Sequence, residues 1–154
     1  MPFNIAAAAP LANAEWDFCA GDLQSPPSFS AASATLVGFV NVQAIAYGED
    51  TENKYAFLLQ SNAVLTRFTI NTLEATFPSG TTISLPSGTL AAPQDIKLIK
   101  SNGIWYAFIV NQTTDNLVIL NFGASLGNNA PAARTINLSG FGDKLRGIEL
   151  VREG

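Results

Sequence analysis

Gly123-Ala124-Ser125-Leu126-Gly127 meets the pattern G-x-S-x-G, in which a serine on a sharp strand-to-helix turn serves as a hydrolase nucleophile. That chemistry needs a base to take the hydroxyl proton and donors for the oxyanion that develops, and the usual base is histidine. The 154 residues include no histidine. The stretch runs on into Asn128-Asn129-Ala130-Pro131, whose residue types favour a loop where the motif requires a helix. Ser125 thus has the letters of the motif without its machinery. Glu49, Asp50 and Glu52 are the densest carboxylate group, but they lack the spacing of a calcium loop, and in a turn their natural neighbour is solvent. Cys19, the single cysteine, has no second thiol for an internal disulfide and no set of partners for zinc. It reads as a tolerated thiol or as one half of a bridge to a cysteine outside the chain. Asn111-Gln112-Thr113 and Asn137-Leu138-Ser139 fit the glycosylation pattern, which sequences rich in Asn and Thr meet by chance. No P-loop or dinucleotide glycine fingerprint occurs. The expectation is a chain that is not an enzyme, with no catalytic, metal or cofactor-binding residues and with its ligand-binding residues unknown.

Composition narrows the partners. Hydrophobic residues make up 47% of the chain, enough for a packed core, while only 13% are charged, about half the share in an average soluble protein. The remaining surface is neutral and polar. A net charge of -4, with lysines and arginines scattered singly, gives no basic stripe for phosphates, so nucleic acid is not expected as a partner. Apolar runs are interrupted by Asn, Gln or Gly before they reach the length of about 18 to 20 residues that spans a bilayer as a helix, so no membrane insertion is expected. The opening MPFNIAAAAPLANAEW ends in Ala12-Asn13-Ala14, a small-x-small site of the signal-peptidase kind, without a charged start or a proper apolar region ahead of it. It reads as the tail of a signal peptide or as a plain flexible terminus.

The elements that would position any site are written twice. Tyr55-Ala56-Phe57 returns as Tyr106-Ala107-Phe108, and the same spacing carries Gln43 to Gln94 and Ile45 to Ile96. Leu65-Thr66-Arg67-Phe68 matches Ile119-Leu120-Asn121-Phe122 after a short insertion around Thr113-Thr114-Asp115, and Thr82-Ile83-Ser84-Leu85 matches Thr135-Ile136-Asn137-Leu138. A third copy opens with Leu145-Arg146-Gly147-Ile148 and continues as Glu149-Leu150-Val151-Arg152, parallel to Lys97-Leu98-Ile99-Lys100. A period of about fifty residues is that of propeller blades and related β repeats.

Within the second unit the pattern predicts strands over about 95–100, 104–111, 116–122 and 134–138, with Ser101-Asn102-Gly103 as an Asn-Gly hairpin turn. The fold class expected is all-β, with four-stranded antiparallel repeats of about fifty residues forming an incomplete propeller. The domains are residues 1–30 as an N-terminal segment carrying a signal-peptide remnant and a lead-in strand, 31–92 and 93–141 as two repeats, and 142–154 as the start of a third. Trp16-Asp17-Phe18-Cys19 would either begin the mature chain or supply a strand that closes the ring. Ile104, Tyr106, Phe108 and Val110 fall on one face of their strand and Trp105, Ala107 and Ile109 on the other, so a strand buried on both faces is expected, its rings packed between neighbouring sheets. An aromatic carbohydrate platform is the alternative and needs exposed rings. Gln94 and Asn111 are expected to close turns and satisfy backbone groups.

The units PQDIKLIKSNGIWYAFIVNQTTDNLVILNFGASLGNNAP and LRGIELVREG resemble the repeats of large secreted Bacteroidetes surface proteins. Such proteins often carry PKD modules and a C-terminal sorting domain associated with gliding motility or type IX secretion. The resemblance covers about residues 42–154. Its most specific parts are the WYAF strand and the stretch Asn121 to Leu126, which residues 69–78 of the first unit replace, leaving that unit's third and fourth strands open. It implies a propeller of several blades, export to the cell surface and a role in binding, adhesion or scaffolding, with an extracellular protein or glycan as partner. Its blades would be completed by further units of the same chain or by other copies of it. Two other readings stand beside it. One is part of a lactonase-like or lyase-like propeller enzyme whose active-site residues lie in blades outside this chain. The other is a self-assembling propeller subunit.

Overall fold

Residues that alternate between two apolar faces leave the backbone little choice but extended ladders, and the computed structural model is built of strands, with no helix among the described residues. It describes residues 14–16, 19–20, 28–29, 34–36, 39, 41–51, 53–70, 79–141 and 144–151. The expected signal-peptide remnant therefore lies outside the described residues up to Ala14, as do Glu52, residues 71–78 and Arg152.

Among the described residues twelve strands run in chain order. The first four are β1 (Ala14–Trp16), β2 (Cys19–Ala20), β3 (Ser28–Phe29) and β4 (Ala34–Leu36). The first repeat supplies β5 (Val42–Glu49), β6 (Lys54–Gln60), β7 (Leu65–Thr69) and β8 (Thr81–Thr82). The second supplies β9 (Pro93–Ser101), β10 (Ile104–Asn111), β11 (Asn116–Gly123) and β12 (Ala132–Asn137). Each repeat forms its own antiparallel four-stranded sheet in sequence order, while β1 pairs with β4 and β2 with β3 as separate two-stranded ladders. Ala14, Glu15 and Trp16 thus pair with β4 and lie in neither of the four-stranded sheets.

The two sheets are copies in detail. Val42 lies opposite Gln60 and Ala44 opposite Leu59, so Gln43 is the extra residue of a bulge; Gln94 occupies the same place between Pro93 and Asp95. Each glutamine donates its amide to the carbonyl two residues back, on Asn41 at 3.4 Å and Ala92 at 3.2 Å, and both of those residues hold φ of 48°. Ser61 N donates to Asn41 O and Gln112 N to Ala92 O, closing the two bulges alike. The expected Asn-Gly hairpin is present, with Asn102 at φ 50° and Gly103 at φ 79° between the paired Ser101 and Ile104.

The ladders correct one alignment. Arg67 lies opposite Phe57 and Ile119 opposite Phe108, so Leu65 corresponds to Leu117 and not to Ile119. The register is held by main-chain hydrogen bonds, and the second hairpin loop differs by one residue only, spanning 61–63 in the first repeat and 112–115 in the second. The fourth strands agree with the sequence match, since Thr82 faces Thr66 and Thr135 faces Val118. Residues 144–151 form no strand. They run beside the second sheet, with Lys144 N donating to Asp115 Oδ1 and Ile148 N to Asp95 Oδ2, both at 3.1 Å.

The sheets stack with one face of the first on the opposite face of the second. Ala46, Tyr55, Phe57, Leu59 and Leu65 meet Ile96, Trp105, Ala107, Ile109 and Leu120 in one continuous core, with Phe57 edge-on to Phe122 at 5.4 Å. The first strands β5 and β9 are the closest elements of the two sheets. The far face of the first sheet, with Ala56, Leu58 and Phe68, is buried, with Val42 and Ile45 of the same sheet beside them and Phe39 and Ile70 packed against them. The far face of the second is not. Tyr106 and Phe108 are half-exposed, whereas their counterparts Tyr55 and Phe57 are buried. The expectation that β10 is buried on both faces fails there, since among the described residues no sheet lies over Tyr106 and Phe108.

Candidate functional site

The residues with chemical potential converge where the loop between β11 and β12 folds over the first sheet. Ser125 stands in that loop, with Leu126 anchoring it in the core. Its Oγ donates to Asp50 Oδ2 at 2.7 Å and accepts from Gly127 N at 3.0 Å. Asp50, at the end of β5, also accepts from Asn53 N at 3.1 Å through Oδ1, so it closes the β5–β6 hairpin while holding Ser125. The expectation that Asp50 faces solvent is corrected: it is buried, because the loop of the next repeat lies over its turn. Glu49 accepts from the Tyr47 hydroxyl at 2.9 Å on the exposed side, and Glu52 lies outside the described residues. Burial first, then the hydrogen bond and the charge of Glu49, push the Tyr47 phenol up from its ordinary value.

Arg67 lies deeper in the same junction. It is buried on β7, on the face turned to the second sheet, and grips the loop with its fork. Nη1 donates to Leu126 O at 2.8 Å and to Asn128 O at 3.3 Å, and Nη2 donates to Asn129 Oδ1 at 2.7 Å. The guanidinium sits 5.2 Å from the centre of the Tyr55 ring. Burial lowers its pKa, opposed by the Tyr55 hydroxyl and the Asp50 carboxylate, and an arginine so placed stays charged at neutral pH. A further bond from Ser84 N to Asn129 O at 2.8 Å ties the same loop to the stretch after β8.

This arrangement is a clasp between repeats, and its chemistry as a catalyst is poor. A carboxylate is too weak a base to ionise a serine hydroxyl near neutrality, and one lone pair of Oγ is already taken by Gly127 N–H. The turn after Gly123 leads into another loop and then β12, so no helix N-terminus aims donors at Ser125. Among the described residues no group of three His, Cys, Asp or Glu side chains is placed to share a metal ion. Nor is any helix among them long and apolar enough to cross a membrane.

The remaining sequence candidates separate cleanly. Asn111 is fully buried: its Oδ1 accepts from Ala91 N at 3.1 Å and its Nδ2 donates to Thr89 O and Asn116 Oδ1, each at 2.9 Å. It closes turns, as expected, and cannot present its amide to a glycosylating enzyme. Asn137 is exposed and accepts from Ser139 N at 2.8 Å. Cys19 falls within β2. Arg67, Asn128 and Asn129 were not singled out by sequence; the one signal was a lone arginine among the apolar positions of LTRFT. Comparison of the chain with family models, curated proteins and solved structures gives no match.

Proposed function

We propose that this chain is a noncatalytic repeat module of the β-propeller kind, belonging to an exported cell-surface protein and serving binding, adhesion or scaffolding outside the cell. The stacking of two like sheets, face to opposite face, carries the reading. Such stacking is open-ended, so each unit leaves a face for the next, and closest approach at the first strands lets successive sheets fan about an axis. The sparse charge and neutral polar coat suit a module that meets protein or glycan, and the resemblance of the repeats to secreted Bacteroidetes surface proteins points to the same setting. The polar groups best placed for chemistry, Ser125, Asp50 and Arg67, are engaged in joining repeats, which supports a binding role over a catalytic one.

Protease treatment of intact native cells tests this. An antibody epitope in residues 93–141 should be lost before lysis; an epitope that survives until the cells are broken places the protein inside and overturns the reading.

A further inference from the structure

The open face of the second sheet holds a groove of about 680 Å³, floored by Ile99, Tyr106, Phe108 and Ile119 and rimmed by Asn121 and Arg134. Position for position this is the face that the first sheet has buried. Tyr106 and Phe108 correspond to Tyr55 and Phe57, Ile119 to Arg67 and Ile99 to Gly48, through the matching registers of the two sheets. In the first sheet those positions are covered by Trp105, Ala107 and Ile109 of the following repeat. The chain that follows β12 then returns to this same face. Ile148, which corresponds to Ile96, donates its N–H to Asp95 on β9 at 3.1 Å, as β9 is the strand of its own sheet that lies nearest to β5.

We propose that this groove is the seat of a third four-stranded repeat of the same chain, the one that residues 145–151 open. The inference rests on the repeat-module reading and adds the surface by which units join. The seat differs from the first in two ways that define its occupant. Gly48 leaves space that Leu126 and Trp105 enter, since a Cβ there would lie 2.5 Å from Leu126 Cδ1 and 3.7 Å from Trp105 Cζ3, whereas Ile99 fills the corresponding space. The occupant therefore carries smaller or displaced side chains where Leu126 and Leu98 stand in the first junction. Ile119 also offers no guanidinium, so the loop gripped by Arg67 in the first junction has an apolar partner in the second. A single-repeat occupant also accounts for aromatic rings on a sheet face more simply than a sugar platform, because the identical pair is already core in the first sheet.

Hydroxyl-radical footprinting of the protein purified from its native cells decides the matter within one sample. Tyr106 and Phe108 should be protected as strongly as Tyr55 and Phe57, and in residues 1–154 expressed alone the first pair should show a several-fold gain of labelling while the second pair stays protected. Heavier labelling of Tyr106 and Phe108 than of Tyr55 and Phe57 in the native protein overturns the proposal. So does protection that disappears on dilution, which would assign the groove to a second copy. Should the shorter chain not fold, the ratio in the native protein still decides. Neither result depends on cellular location, so failure here and failure of the surface reading remain separate.

Discussion

Arg67 places a full charge in a strand whose neighbours are buried, and three acceptors on one loop of the next repeat receive its fork. Truncating it leaves the buried carbonyl of Leu126 without its donor, while the exposed Asn128 and Asn129 can turn to water, and hydrogen bonds to charged groups contribute about 1.5–3 kcal/mol each before the losses overlap. Arg67→Leu should lower stability by about 2–4 kcal/mol in urea denaturation, and Arg67→Lys should recover only part because an ammonium cannot reproduce the fork. Ser125→Ala removes a smaller bond and should cost about 1 kcal/mol. The same serine should stay unlabelled by a fluorophosphonate, whereas labelling would mark it as a nucleophile. Tyr47 supplies a pH dependence. Its pKa is raised in the folded state, so the neutral phenol is favoured: the stabilisation is complete below the ordinary tyrosine value and is lost as pH rises through the folded value. Glu49→Gln removes the neighbouring charge and should move the Tyr47 transition down in an ultraviolet difference titration. At this scale the sequence was least informative. The partners of Asp50 and Arg67 lie 75 and about sixty residues away, and no local pattern announces a contact across that distance.

At the scale of elements, local chemistry left clear marks. The Asn-Gly turn, the alternating strands and the repeat spacing all follow from residue types with strong backbone preferences, and the strands of the second unit form within a residue or two of where the pattern put them. Alignment slipped only where it relied on side-chain likeness across a loop, since register is set by the hydrogen-bond ladder and not by similarity of letters. The turns yield paired predictions. Gly103 holds φ 79° with nothing near a would-be Cβ, so Gly103→Ala should cost about 1–2 kcal/mol from backbone strain alone. The bulge sites run the other way. Asn41 and Ala92 hold the same left-handed φ, but only asparagine tolerates it well, so Ala92→Asn should raise the denaturation midpoint by an amount worth roughly 0.5–1 kcal/mol.

Across the whole molecule, two sheets act as one body because the apolar core and the Arg67 clasp cross the junction together. Composition and alternation announced a core of stacked sheets but could not say which faces meet: a strand apolar on both sides reads the same whether one face is covered or two, and Tyr106 and Phe108 show the difference. At Gly48 the junction is close. A Cβ at this position would meet Leu126 Cδ1 at 2.5 Å and Leu98 Cδ1 at 3.1 Å, both at the ends of side chains that can swing aside, so Gly48→Ala should be mild. A longer side chain would also reach the Trp105 ring, which the neighbouring strands hold in place. Gly48→Leu should therefore cost about 1–3 kcal/mol as overpacking and wedge the sheets apart at β5 and β9. In a Trp16→Phe background the remaining tryptophan is Trp105, in the junction itself, so its emission should shift to the red in Gly48→Leu before the chain unfolds. If the emission stays in place while stability falls, the strain is taken up within the first sheet, and the two repeats are joined less by packing at their first strands than by the grip of Arg67 on the loop beyond β11.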